Sequence, residues 1–421
     1  MIITPTGHGV AYEGADPAEL LIKEARQKAL RRRLRISAVL TTALAFVLLL
    51  LLLLVAGGVP SSTKRTTGNQ PARTVGANLS SAVIPHFDEP DAIAVSGSRV
   101  WIANMASNSV TELNAKTGAL VRVIDAKSDA FHHPDGIAVQ GSHVWVTNGN
   151  EEFGMGTSNY PLAKYSSVTE LNAKTGTLVR VIDVNTDKLL DPGLVAISGS
   201  HVWVLNANSA QSATSTPMNA LIELNASNGS LVHIFKTNVD GLYGPLNLTA
   251  TRSDVWVTNA NGFEDSLTEI NSTTGSLVRV IRPTTGELTA PDGIAVSGAH
   301  VWVANIRQGD NSVTELRTSN GSFVRNIKAR AGKFNGLLGI AAEGRHVWVT
   351  NGNGYESGGN TNSVSELNAT TGSLVRVIKA KTDGLYGPTV IVANDSKLWI
   401  LNISSVTELN AGNGSLVRVV K

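Results

Sequence analysis

The chain has no cysteine in 421 residues, which excludes disulfides, cysteine-ligated zinc and a thiol nucleophile. A fold of this size does not need disulfides even outside the cytoplasm, because its core is large enough. Charge is also scarce: Asp, Glu, Lys and Arg make up 16% of the residues, and the formal net charge is +2. Residues 1–35 hold seven Lys/Arg against four Asp/Glu, so the remainder sits near −1. No basic stripe is left to neutralise phosphates, which argues against a nucleic-acid partner. Catalytic signatures are missing too. There is no His-Glu-x-x-His, Gly-x-Ser-x-Gly or Walker sequence, and Gly352-Asn353-Gly354 stops short of a dinucleotide fingerprint.

What is present begins with a charged amphiphile. Asp16-Pro17 offers a helix N-cap, Glu19 and Glu24 follow early, and Arg31, Arg32, Arg33 and Arg35 come late, the order a helix dipole favours. Ile36–Val59 then runs without a charge, including an unbroken leucine run from Leu48 to Leu54. As a helix it spans roughly 36 Å, enough to cross a bilayer. The basic residues before it predict a cytoplasmic N-terminus and an extracytoplasmic C-terminal mass. The rival is a cleaved signal peptide ending near Val55-Ala56-Gly57. Its apolar stretch and its charged leader are both longer than such peptides use. Residues 60–87 are rich in Ser, Thr, Gly, Pro and Asn and read as a flexible stalk.

From about residue 88 one sentence is written seven times. In its second copy, Pro134-Asp-Gly-Ile-Ala-Val139, a tight turn, His143–Asn148, a variable loop, Ser167–Leu171, a polar turn and Leu178–Ile182 read as four short strands. All seven tryptophans fall at one position: Trp101, Trp145, Trp203, Trp256, Trp302, Trp348 and Trp399. Their spacings of 44, 58, 53, 46, 46 and 51 residues suit one propeller blade each. No 3.6-residue period persists, and both strand parities are apolar in Val144-Trp145-Val146, as when blades pack on each other. The prediction is an all-β, seven-bladed β-propeller of four-stranded antiparallel blades, preceded by one N-terminal transmembrane helix. The blades fall near 88–125, 134–183, 191–235, 244–281, 291–327, 336–378 and 387–421. Both Ala82–Ile84 and the C-terminal Val419-Val420 segment resemble an outer strand, and the C-terminal one is expected to complete the last blade.

The units resemble YVTN-type propeller repeats, most clearly at Val144-Trp145-Val146-Thr147-Asn148, Trp256–Asn259 and Trp348–Asn351. They depart from that pattern in carrying Trp where Tyr is usual, and Val-Thr-Glu-Leu-Asn in place of an Ile-Asp ending. The Gly-His and Trp-Asp pairs of WD40 repeats are absent. The resemblance implies the fold and says little about chemistry, because propellers host many functions. A more distant similarity to streptogramin lyase propellers implies an alternative in which a metal and acid–base residues act on the loop face.

Repeated polar residues call for a separate reading. Each copy has a third-strand glutamate (Glu112, Glu170, Glu223, Glu269, Glu315, Glu366, Glu408), opposite an outer-strand arginine in all copies but the third, where His233 stands. We expect cross-strand ion pairs on the blade's outer half, worth about 0.2–1 kcal/mol each, in preference to an acidic ring for cations. His143, His201, His300 and His346 alternate with Arg99, Asp254 and Lys397, so that position is expected to want only a polar group near a turn. The asparagine three residues after each tryptophan either satisfies loop backbone or lines a ligand site. Ten Asn-x-Ser/Thr sequons occur, several in the third-to-fourth-strand turn (Asn225, Asn271, Asn320, Asn368, Asn413), where turn composition generates them readily.

Successive turns of a meander alternate between faces, and only the second and fourth turns vary in length. Variable loops on a rigid scaffold are where binding is expected. The candidates on that face are Glu151, Glu152, Phe153, Tyr160 and Tyr165 in the longest loop, and Phe263, Glu264, Asp265, Asp310, Tyr355 and Glu356 in others. His132, His133, Tyr243 and Tyr386 lie between blades. The expected function is binding of a protein, peptide or carbohydrate, with no cofactor required. A divalent metal enters only under the alternative of a metal-assisted lyase or hydrolase, with His132, His133, Glu151 and Glu152 as the nearest donors.

Overall fold

The computed structural model describes residues 87–421 apart from 126–129, 150–165, 184–191, 207–219, 237–239, 261–264, 283–286, 307–310, 329, 331–332, 335, 353–361 and 380–383. Twenty-eight strands form seven antiparallel sheets of four, each in simple sequence order. The inner strands begin at Pro90, Pro134, Pro192, Pro245, Pro291, Leu337 and Ile391. Each packs on the next, and Ile391–Asn394 packs on Pro90–Ser96, which closes the ring as a seven-bladed β-propeller. The last blade takes all four strands from the C-terminal segment, its outer strand being Leu416–Val420.

The second strand of each blade explains why a ring forms. In His143–Asn148 every residue after the histidine is buried, so both faces of the sheet need a partner. Trp145 packs with Val202, Val204 and Ile222 of blade 3, while Val144 and Val146 pack with Trp101 of blade 2's other neighbour, blade 1. The same division recurs around the ring, giving seven seams with one tryptophan at the centre of each. Burying an indole removes about 150–250 Å² from water, worth gross about 4–6 kcal/mol. Two meander faces buried at once leave only the outer strand at the surface, where Val179, Val232 and Val417 are exposed.

Six of the seams are also plugged by an apolar residue just before the inner strand: Phe87, Phe131, Leu242, Leu288, Phe334 and Leu385, all buried. The turn between third and outer strands is an Asx turn. In blade 2, Asn172 Oδ1 accepts the N–H groups of Lys174 and Thr175, and the Gly176 N–H closes on the Asn172 carbonyl. Gly176 is needed twice over: its φ is 72°, and a Cβ there would lie 2.7 Å from the Arg122 guanidinium of the preceding blade.

Among the described residues no helix is long and apolar enough to cross a membrane. The expected cytoplasmic helix, the membrane span at 36–59 and nearly all of the stalk lie outside them.

Candidate functional site

The seven repeated glutamates are the obvious starting point for an acidic site, and their geometry differs from the sequence expectation. They make the expected cross-strand pairs with the outer-strand arginine in six blades, but the carboxylates are buried at the seams. Trp101, Glu112 and Arg122 pair across neighbouring strands, so they share the face turned towards the next blade. Arg122 Nε lies 2.6 Å from Glu112 Oε2, and Arg99 lies 3.1 Å from Oε1. In blade 2 the same carboxylate is held by Arg180 at 2.6 Å and by His143 Nδ1 at 2.5 Å. His201, His300 and His346, with Lys397, take the same place beside Glu223, Glu315, Glu366 and Glu408. The residue before Val-Trp is therefore not merely a polar turn residue. It is the second nitrogen group of a clamp, reached diagonally from the glutamate.

The clamp extends across the seam. Arg122 donates to the Lys174 carbonyl of blade 2, Arg180 to Ser227 of blade 3, and Arg418 of the last blade to Lys116 of the first. Arg279, Arg325 and Arg376 repeat the bond. Burial outweighs these cations at some positions. Desolvation pushes the Glu112 and Glu315 carboxyls above the ordinary range despite their arginines. Glu269 goes furthest, to about 7, because burial is joined by Asp254, which stands where the other blades carry a base. In six blades the carboxylate is thus tied to an arginine that bridges to the next blade, which is the work of scaffold.

The asparagine ring is likewise internal. Asn148 donates through Nδ2 to Ser167 and Thr169 Oγ atoms at 3.0 Å, and its Oδ1 accepts the His132 N–H at 3.3 Å. Asn259, Asn305 and Asn402 make the same set with Tyr243, Thr289 and Tyr386. Of its two expected roles, the asparagine thus holds loop backbone. Thr147 adds a link between blades, donating to the Gly193 carbonyl of the next blade's inner strand at 2.6 Å.

On the loop face, the structure places three of the predicted site residues at one repeated step, with His133 beside one of them. His132, Tyr243 and Tyr386 lie two residues before Pro134, Pro245 and Pro388, their N–H groups held by asparagine; the first two are half-buried and the third is exposed. Tyr386 is 63% exposed. Tyr243 carries the Arg282 guanidinium 4.7 Å above its ring. His133 follows His132 with φ 48°, its N–H bonded to Asn108 Oδ1 at 2.6 Å, and the two imidazoles are 4.7 Å apart. Asp265, also expected at the surface, instead accepts the Ala290 N–H at 2.7 Å, the position Asn108 occupies in blade 1. Glu151, Glu152, Phe153, Tyr160, Tyr165, Phe263, Glu264, Asp310, Tyr355 and Glu356 lie outside the described residues.

Asp91, Asp135 and Asp292 went unremarked in the sequence although Pro-Asp was read as a turn. They occupy the second step of the inner strand in blades 1, 2 and 5, half-buried on the same face. Aligning the seven inner-strand starts would have found them. Among the described residues, no group of three or more His, Asp or Glu has a geometry that could hold a metal.

No family model matches the chain, and no curated protein matches it. Solved structures do. A streptogramin B lyase structure superposes with a TM-score of 0.55 at 16% identity, covering 77% of this chain and 96% of that one. Kuenenia stuttgartiensis hydrazine synthase gives 0.55 at 16%, covering 79% and 98%. The RRP9 WD40 repeats give 0.55 at 12%, covering 75% and 88%. At such identities these likenesses establish the propeller fold and nothing about its chemistry.

Proposed function

We propose that this chain is a membrane-tethered, extracytoplasmic propeller of the YVTN type that binds a protein, peptide or carbohydrate on its variable-loop face. One observation carries the reading: the repeated glutamates and asparagines are bonded inside the scaffold, whereas the step whose backbone N–H the asparagine holds changes its side chain from blade to blade, as His132, Tyr243 and Tyr386. Their side chains differ from blade to blade and stand on one face. Aromatic rings with an adjacent guanidinium suit a ligand with flat apolar faces and hydrogen-bonding edges. The uncharged segment 36–59 behind a basic leader supports the tether and its orientation.

The test is thermal unfolding of the full chain in mild detergent against panels of glycans, peptides and divalent metals. Tyr386→Ala and a variant with Gly149–Tyr165 shortened run beside it. A ligand of the folded state raises Tm by mass action, and the reading expects the rise to shrink in both variants. A rise that survives both puts the ligand elsewhere and contradicts it. The metal arm addresses the lyase or hydrolase alternative, which the adjacent imidazoles of His132 and His133, 4.7 Å apart, keep in view. That alternative requires a stoichiometric divalent ion lost on His132→Ala/His133→Ala.

A further inference from the structure

One clamp in the ring lacks its arginine. In six blades the glutamate's Oε2 meets an arginine Nε at 2.6–2.7 Å, and that arginine reaches on to a turn carbonyl of the next blade. In blade 3 the position is His233, whose ring lies edge-on to Phe235 at 4.4 Å and not on the carboxylate. Glu223 Oε1 is held by His201 Nδ1 at 2.6 Å, but among the described residues Oε2 has no ion-pair partner, in a side chain only 2% exposed. That oxygen is aimed at the turn of blade 4, where it would stand 2.6 Å from a Cβ on Gly275. At Gly118, Gly176 and Gly372 the atoms in that place belong to the neighbouring arginine.

We infer that the seam between blades 3 and 4 is a binding site for a guanidinium group supplied from outside the chain. The guanidinium takes the slot that arginine fills elsewhere, bonded to Glu223 Oε2 and to the Thr273 carbonyl, the step equivalent to Lys174 and Ser319. The carboxylate then withdraws to the position its six counterparts hold. Three features favour this ligand over a bare cation. The repeat itself shows that the pocket shape accepts a planar fork, six times over. A carboxylate and a carbonyl at the two ends match its divergent N–H groups. The slot also opens to solvent at the rim, since the six resident arginines remain 26–30% exposed. The site lies at the outer edge of the ring, apart from the loop face.

The experiment is thermal unfolding of the full chain with methylguanidinium up to about 10 mM, a concentration at which its denaturing action is negligible. Matched sodium and tetramethylammonium chloride serve as controls, and His233→Arg and Glu223→Gln as variants. The expected result is a rise of about 1–3 °C in the wild type with methylguanidinium alone. Both variants should show no such rise, and H233R, which rebuilds the native clamp of the other blades, should melt above the wild type. An absent rise in the wild type, an equal rise in H233R, or an equal rise with sodium would each overturn the inference. H233R keeps the test decisive if E223Q fails to fold.

Discussion

Blades 3 and 4 differ from the other five at a single layer of the structure. In blades 1, 2, 5, 6 and 7, the buried glutamate has a base from the second strand and an arginine from the outer strand. Blade 3 keeps His201 but loses the arginine. Blade 4 keeps Arg279 but puts Asp254 in place of the base. The tryptophan, the asparagine and the strand order are untouched in both. The ring therefore tolerates an electrostatic defect at two adjacent positions without losing its shape, because apolar seams and backbone ladders carry the fold. Charge tunes it.

That ranking can be broken by experiment. Trp302→Ala should cost the most, about 3–5 kcal/mol by chemical unfolding, since it empties the centre of a seam. Trp302→Phe should cost clearly less, because the buried indole N–H has no protein acceptor to lose. A smaller loss for the alanine variant than for any clamp variant would invert the account.

Glu315→Gln comes next, at about 1–3 kcal/mol, since it strands Arg325, itself partly solvated. Glu223→Gln strands no arginine and should cost less. Equal losses would mean that the clamp at blade 3 is complete in some other way.

The defect in blade 4 predicts a pH dependence with a defined sign. Glu269 has a folded pKa of about 7 against an ordinary 4.5, because of burial and then Asp254. The folded chain holds a proton that the unfolded chain releases between those values. Stability from this group is thus greatest below about pH 4.5, falls as pH rises towards 7, and is level above. The fall amounts to about 2–3 kcal/mol. Urea unfolding from pH 4.5 to 8 should show it in the wild type, shallower in Asp254→Asn and removed in Glu269→Gln. A variant E269Q with the wild-type slope would assign the dependence to other groups.

The fold was legible because one tryptophan marks every blade, and both of its neighbours are β-branched in six blades and aliphatic in the seventh (Leu398, Ile400). The clamp was only half legible. Glu170 and Arg180 face each other directly and were paired correctly, but burial could not be seen from one blade's pattern, since it comes from the neighbouring sheet. His143 pairs directly with Asn172, so a reading of opposite partners misses it. Parity supplies the signal: His143 shares Trp145's face, and Trp145 lies opposite Glu170. On the loop face, Asp265 was read as a surface candidate, whereas its role, like that of Asn108 in blade 1, is to hold backbone of the following loop. The sequence shows which residues stand in a loop and not which carbonyls and N–H groups they meet.

The most direct test of the division between repeated scaffold and unrepeated surface uses two residues that touch. The Tyr386 N–H donates to Asn402 Oδ1, while Asn402 Nδ2 holds Ser405 and Thr407. Equilibrium unfolding of Tyr386→Ala and Asn402→Ala compares the exposed side chain with the buried one. The account predicts a change within about 0.5 kcal/mol for Tyr386→Ala and a loss of about 1–3 kcal/mol for Asn402→Ala. A Tyr386 variant that loses as much stability as the Asn402 variant would contradict it, by showing that the loop-face side chains are themselves part of the scaffold.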